Sequence, residues 1–381
     1  MRVLVLSSFT KSLLWFRMNL MDELVAAGHE VFALGSDDDA AYTAAFKERG
    51  ITYGAFTVSR NGLSPIDDLR TYRELKRVIR AISPDKVFVY QAKTIVYGCP
   101  AAVHAGVTEL YPLVGGLGSV FRNGGFKNRL IQAILKLQYR RAFRVSKQVF
   151  FQNDDDRGEF IRLGLLPPEK VVMINGSGVD LNRYSVEPLP TQTTFLLISR
   201  LLRDKGVMEY LEACRIVRSR NPQARCLLVG PYDTNPSALR PDELAPYVAS
   251  GAVEYLGEKV DVRPSIADSS VFVLPSYHEG TPKAVLEAMS MGRAIITTDT
   301  PGCRETVTDG ENGLLVEPRN VARLAEAMER FLREPALAAG MGEVSRAVAE
   351  EKYDVRKINR VIMTTMGLAQ TASTRPSLGE V

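Results

Sequence analysis

Short apolar runs alternate with helix-period segments along nearly the whole chain, and this alternation narrows the fold more than any other feature. Val3–Leu6 reads as a strand, and Phe16 to Ala27 as a helix with Phe16, Leu20, Leu24 and Val25 on one face and a stop at Gly28. Glu30–Leu34 is a strand again, Leu69–Ile82 is helical, and Lys86–Tyr90, after Ser83-Pro84-Asp85, is a buried strand. Strands separated by helices pair in parallel and are covered on both faces, so the pattern predicts an α/β architecture. It resets after Pro188-Leu189-Pro190: Thr194–Ile198, Arg225–Val229, Val271–Leu274 and Ala294–Thr298 read as strands, with helices at Val207–Arg218 and Lys283–Met291. A chain of 381 residues suits two cores better than one. The expectation is two doubly wound, Rossmann-like domains, 1–170 and 191–354, with a linker at 171–190. A last helical segment, about 355–370, has no strand after it and is expected to cross back onto the first domain.

Composition removes several classes. Four cysteines (Cys99, Cys214, Cys226, Cys303) stand far apart with no CxxC pair, which fits unpaired thiols in a reducing compartment. Only three histidines occur, so a multi-histidine metal site is not expected. The opening MRVLVLSSF turns polar too soon for a secretory signal, and no run of about 18 apolar residues is present to span a bilayer. The net charge of +4 is unevenly spread, since no Asp or Glu lies between Leu110 and Asn153. That stretch holds Arg122, Lys127, Arg129, Lys136, Arg140, Arg141, Arg144 and Lys147; setting these eight aside leaves 40 basic against 44 acidic residues. The protein is mildly acidic with one basic segment.

The densest chemical signal runs from His278 to Val316, HEGTPKAVLEAMSMGRAIITTDTPGCRETVTDGENGLLV. It starts just past the strand VFVLPS, at the carboxyl edge where open α/β sheets bind ligands. Thr281 as N-cap and Pro282 as first helical residue predict a helix start there. Free N–H groups and the dipole at that end suit a diphosphate, and Gly280 allows close backbone approach. Glu279 and Glu287 flank this anion site, which makes electrostatic sense if they grip hydroxyls: Glu279 those of a donor hexose, Glu287 those of a ribose. After the first strand of the second domain, the turn Ser199-Arg200-Leu201-Leu202-Arg203-Asp204-Lys205-Gly206 brings Arg200 and Lys205 to the same edge. Together they form a cationic clamp for a departing nucleoside diphosphate.

The phrases SRLLRDKG and HEGTPKAVLEAM resemble the signature of glycosyltransferase family 4, with its E-x7-E motif at Glu279 and Glu287. The resemblance is clearest from about Thr194 to Pro318. It implies a GT-B fold, in which two domains face a central cleft, a UDP- or GDP-sugar donor, and retention of anomeric configuration. It also implies that Arg200 and Lys205 contact the diphosphate, Glu279 the donor sugar and Glu287 the ribose. LGEKVDV (Leu256–Val262) matches the loop near the nucleobase, placing Glu258 and Val260 on the donor side with Gly280, Thr281, Pro282 and Lys283. Asn175-Gly176-Ser177-Gly178-Val179-Asp180 resembles the linker phrase N-G-V-D with two residues inserted. No metal or other cofactor is expected.

The first domain is expected to take the acceptor. Its first turn, Ser7 to Ser12, lacks the paired glycines common in the family, and Lys11 and Arg17 lie near it instead. Arg17 reads equally well as a phosphate contact or as an exposed helical residue. The loop Gly115–Phe121 offers Gly116, Gly118 and Ser119 to an acceptor. Its G-L-G-S-V-F phrase, with VGPYDTNPSAL (Val229–Leu239), resembles bacterial enzymes that extend undecaprenyl-diphosphate-linked sugars, with GalNAc or another HexNAc as donor hexose. Many family members carry a His or Asp beyond the fourth strand; here the strand ends Tyr90-Gln91-Ala92-Lys93, with no such base. The basic segment reads as an amphipathic helix on an anionic membrane surface, with Arg122, Lys127, Arg129, Lys136, Arg140 and Arg141 facing lipid. The expected location is cytoplasmic, peripheral on the inner face of the membrane, with no nucleic-acid partner.

The expected reaction is metal-independent, front-face transfer of a hexose to a polyprenyl-diphosphate-linked sugar, with Arg200, Lys205 and Glu279 in the catalytic roles. Three rivals remain open: a sugar-nucleotide epimerase of the same fold, a transferase acting on a soluble acceptor, and a non-catalytic sugar-binding protein. A nicotinamide enzyme is disfavoured, because no G-x-G-x-x-G follows Val3–Leu6.

Overall fold

The structure is a computed structural model that describes residues 1–59, 64–116 and 126–369. Its first sheet has seven strands: β1 (Arg2–Ser7), β2 (Glu30–Gly35), β3 (Ile51–Ala55), β4 (Lys86–Tyr90), β5 (Glu109–Val114), β6 (Val149–Phe151) and β7 (Val171–Met173). The second has six: β8 (Thr194–Ile198), β9 (Arg225–Val229), β10 (Glu254–Tyr255), β11 (Val271–Leu274), β12 (Ala294–Thr298) and β13 (Gly313–Val316). The strand orders are β3-β2-β1-β4-β5-β6-β7 and β10-β9-β8-β11-β12-β13, and every pairing is parallel. Both sheets are therefore doubly wound, as the alternation predicts.

Helices α1 (Thr10–Ala26), α2 (Ala40–Lys47), α3 (Pro65–Ile82), α4 (Ala92–His104), α5 (Phe126–Arg144) and α6 (Asp154–Arg162) belong to the first sheet. Helices α7 (Val207–Arg220), α8 (Pro241–Ala249), α9 (Arg263–Ala267), α10 (Lys283–Ser290), α11 (Val321–Arg333) and α12 (Ala336–Lys352) belong to the second, and α13 (Val355–Thr365) follows. The two-residue period of each strand splits its side chains between two cores. Along β1, Leu4 and Leu6 pack with Leu75 of α3, Cys99 of α4 and Phe143 of α5. Val3 and Val5 pack on the other face with Leu20 of α1 and Ile362 of α13. In the second sheet Leu197 meets Tyr210 and Met328, whereas Leu196 meets Leu286 and Met289. All four cysteines are buried and unpaired.

Helix α1 begins at Thr10, six positions before the expected start at Phe16. The cause is local: the Ser12 N–H and hydroxyl both donate to the Phe9 carbonyl, at 3.0 and 2.6 Å, and wind the turn early. Lys11 is thus helical rather than part of a loop. Between the domains the chain is pinned by Arg293, whose buried guanidinium donates to the carbonyls of Glu187, Pro188, Ile266 and Ala267 at 2.8–3.2 Å. Burial pulls its pKa down to about 10.

The terminal helix returns to the first domain. Val179 bridges Asp354 through backbone bonds of 2.8 Å (Val179 N–H to Tyr353 O) and 3.0 Å (Val355 N–H to Val179 O). Helix α13 then lies on α1, where the Asn359 amide donates to Glu23 at 2.7 Å. Ile358, Ile362, Met363, Met366 and Leu368 bury against the first sheet. Because Ile362 is fully buried, Ile362→Ala is expected to cost about 2–5 kcal/mol, read as a lower urea midpoint for the first domain. A loss below about 1 kcal/mol would show that α13 does not hold this face.

Candidate active site

Each sheet reverses its strand order beside its first strand, between β1 and β4 and between β8 and β11. Ligands of open α/β sheets bind outside the strand ends at such points. The sequence phrases singled out above leave these strands: Ser7–Ser12 after β1, Gln91 after β4, Ser199–Gly206 after β8, and His278–Pro282 after β11.

In the second domain the two loops are fastened together. The Asp204 carbonyl accepts from the Tyr277 N–H at 2.9 Å and from the Ser276 hydroxyl at 3.2 Å. Gly206, at φ 70°, lies so close to Pro275 that an added Cβ would collide with its carbonyl. This contact delivers Lys205 to Glu279, ammonium to carboxylate at 2.5 Å, with side chains 21 % and 14 % exposed. Arg200 turns elsewhere and pairs with Asp233 at 2.8 Å, its own side chain 45 % exposed.

The helix after Glu279 starts later than expected. Helix α10 runs from Lys283, and Pro282 occupies the cap position with no side-chain cap. Thr281 is not the cap, because its hydroxyl donates across the cleft to the Gln152 carbonyl at 3.3 Å. Glu287 sits one turn beyond Lys283, buried, and hydrogen-bonded to the Tyr184 hydroxyl. Burial pushes its carboxyl upward, against the pull of Lys283, the Tyr184 hydroxyl and Arg183. On the cleft rim, Val260 is fully exposed, and Glu258 lies 3.6 Å from Lys11 of the first domain. The residues expected on the donor and acceptor sides thus meet directly.

The first domain supplies a seat for the Glu279 loop. The Asn153 amide donates to the carbonyls of Glu279 and Gly280 at 3.3 and 3.2 Å, while its oxygen caps α6 through the Asp156 N–H at 2.8 Å. Gly280 faces Gly115 so closely that an added Cβ would stand 2.7 Å from the Gly115 carbonyl and strike the Gln152 side chain. His278 Nε2 approaches buried Asp156 to 3.2 Å. No hydrogen bond joins the two atoms. Gly116 lies beside the same histidine. The sequence reading missed Gln152, Asn153, Asp156 and Asp233; only the Asn-Asp-Asp-Asp cap ahead of α6 was a visible signal.

Gln91 takes the position where a base was sought. It has φ 74° and ψ 143°, a region that strains any side-chain-bearing residue. Its carboxamide oxygen accepts from the Ser7 and Ser8 hydroxyls at 3.0 and 2.6 Å, and its nitrogen donates to Ser12 at 3.2 Å. Arg17 is not an exposed helical residue: it is 2 % exposed, between Phe88 and Tyr90.

Gly118, Ser119, Arg122 and the Lys127 side chain lie outside the described residues. Along α5, Arg129 and Arg141 are exposed and Lys136 is half-buried. Arg140 instead closes the end of α6, donating to the Leu163 and Gly164 carbonyls at 2.9 Å each. Leu130, Ile134 and Leu137 form an exposed apolar stripe. Among the described residues no helix is long and apolar enough to cross a membrane, and no group of three His, Cys, Asp or Glu residues is placed to hold a metal ion.

Two facing doubly wound domains, with a lysine–carboxylate pair at the switch point of the second, fit a glycosyltransferase of the GT-B class. Residues 192–334 match the family described as glycosyl transferases group 1, and residues 15–176 the glycosyl transferase 4-like domain. The chain is 30 % identical over 357 residues to N,N'-diacetylbacillosaminyl-diphospho-undecaprenol alpha-1,3-N-acetylgalactosaminyltransferase of Campylobacter jejuni, covering 90 % of this chain and 92 % of that one. It is 25 % identical to UDP-Gal:alpha-D-GlcNAc-diphosphoundecaprenol alpha-1,3-galactosyltransferase of Escherichia coli, over 72 % of this chain and 73 % of that one. Its fold is similar to that of Anabaena Alr3699/HepE crystallised with UDP, at TM-score 0.73 and 19 % identity over 97 % of this chain and all of the other. The chain belongs to glycosyltransferase family 4.

Folding raises the Glu287 pKa, so the folded state holds that proton more tightly and loses stability as pH rises through the raised value. Glu287→Gln removes this penalty. Its melting temperature is expected to exceed the wild type's at about pH 8 and to match it near about pH 4. A difference that stays constant with pH contradicts the assignment.

Proposed function

We infer that this transferase moves a hexose, GalNAc or another HexNAc, from a UDP-sugar to an undecaprenyl-diphosphate-linked sugar. The Lys205–Glu279 pair at the cleft carries the reading, because it sets a phosphate-binding cation against a hydroxyl-binding carboxylate. The printed activities of the Campylobacter and Escherichia relatives, and the UDP complex of the Anabaena neighbour, support the donor and acceptor classes.

Arg200 and Lys205 take the diphosphate, Glu279 the hexose hydroxyls and Glu287 the ribose. The acceptor hydroxyl attacks the anomeric carbon from the face the nucleotide leaves, so configuration is retained. One bond forms between the acceptor oxygen and the anomeric carbon as the bond to the β-phosphate oxygen breaks. The acceptor's proton passes to that phosphate oxygen, a step consistent with Gln91 in place of a base. Lys205 and Arg200 stabilise the leaving group with the chain's own charge, the work a metal ion would otherwise do. The exposed Leu130, Ile134 and Leu137 with Arg129, Lys136 and Arg141 suit the anionic inner face of the cytoplasmic membrane, each basic side chain adding about 1 kcal/mol near that surface.

Incubation with a UDP-sugar panel and a short polyprenyl-diphosphate disaccharide is expected to add one hexose-type unit, read by mass spectrometry. Lys205→Met and Glu279→Gln should each lower turnover by about 10²–10³-fold. Near-normal turnover in Glu279→Gln removes that residue from the mechanism. UDP release without acceptor would favour an epimerase, and transfer to free sugars alone a soluble acceptor.

A further inference from the structure

Trp15 is the only tryptophan of the chain, and it is 47 % exposed. A single exposed aromatic residue is ordinary on an outer surface. This one lies at the cleft. Lys11, Trp15 and Asn19 follow one another at four-residue steps along α1 and share one side of that helix. The two flanking residues touch what lies across from them. The Lys11 ammonium stands 3.6 Å from Glu258 of the second domain, and the Asn19 amide donates to Asp180 of the linker at 3.2 Å. Trp15 sits between these two contacts and is still half open. Its ring is held in place from its own domain: Phe9, just before the helix, meets it edge-on at 5.8 Å between centroids, and the Lys11 ammonium lies 5.8 Å from its centroid.

On the opposite rim, Val260 is fully exposed two residues beyond Glu258. An open indole face takes a flat ring, and Lys11 with Glu258 offers the edge of such a ring one donor and one acceptor. A pyrimidine base has both features, since its faces are apolar and its edge carries an N–H between carbonyl oxygens. The position along the cleft favours the base over a sugar ring. Phe16, the next residue of α1, lies 5.8 Å from the Lys283 ammonium, and Lys283 stands one turn before Glu287 on α10. In the transferase reading Glu287 takes the ribose, and the ring attached to that ribose is the base.

We propose that Trp15 stacks on the outer face of the donor's nucleobase, so that the first domain closes over a nucleotide bound by the second. Lys11 and Glu258 meet the edge of the same base. The proposal rests on the UDP-sugar reading and adds to it a residue of the opposite domain that sets donor affinity.

The test uses the full chain and the emission of its single tryptophan, titrated with UDP, GDP, inorganic pyrophosphate and a short-chain polyprenyl-diphosphate-linked sugar. UDP is expected to quench the emission, and pyrophosphate and the lipid-linked sugar to leave it unchanged. In calorimetric titration Trp15→Ala should weaken UDP by about 10-fold or more and leave pyrophosphate within about twofold of wild type. Trp15→Phe should recover part of the loss, because a smaller ring still stacks. In turnover Trp15→Ala should raise the KM for the UDP-sugar with kcat nearly unchanged, since a stacked base is bound alike in the ground and transition states. Lys11→Met should weaken UDP more than pyrophosphate, which keeps the test open if Trp15→Ala fails to fold. UDP affinity within about twofold of wild type in folded Trp15→Ala, or quenching by the lipid-linked sugar in place of UDP, would overturn the stack. A wild-type chain quenched by GDP but unable to bind UDP would sink the UDP reading and leave the stack standing. A chain that binds neither nucleotide would overturn both.

Discussion

A half-buried ammonium and carboxylate, Lys205 and Glu279, 2.5 Å apart, form the contact on which this site depends. Each partner neutralises the other, and under the proposed function each takes one part of a sugar nucleotide. Replacing one anion by another beside Lys205 costs far less than creating an unpaired charge there. The pair exists because two loops of one sheet are pressed together, through the Asp204 carbonyl and the side-chain-free Gly206. A bulkier residue at 206 would separate the loops and with them the charges.

The Glu279 loop is held from both sides of the cleft. Asn153 and Gln152 bind it through neutral hydrogen bonds, each contributing about 0.5–1.5 kcal/mol net. Two exposed ion pairs, Lys11–Glu258 and Arg304–Asp155, also bridge the domains beside the buried His278–Asp156 contact, and such exposed pairs add about 0–1 kcal/mol. The cleft between the domains is thus bridged mainly by neutral hydrogen bonds and exposed charges. The returning helix α13 adds a tether, its apolar face buried against the first sheet.

Much of this was legible before any coordinates. The strand runs are nearly all apolar, which only a sheet buried on both faces permits, and β1, β4, β8 and β11 fell where the pattern put them. The loops after β8 and β11 were legible because glycine, proline and charge cluster there. The start of α10 was not, because the Thr281 hydroxyl finds its partner 129 residues away in Gln152. Arg17 was equally opaque: its position fits either an exposed or a buried face, and only Phe88 and Tyr90 on a distant strand decide it. The Asp233 partner of Arg200 lies in a loop whose path no periodicity describes.

The most direct measurement of the central claim is a crystal structure of the chain bound to an intact UDP-hexose. The account predicts that Lys205 leaves Glu279 for the β-phosphate while Glu279 takes hexose hydroxyls. A donor bound with the Lys205–Glu279 pair unbroken and its diphosphate elsewhere would contradict it.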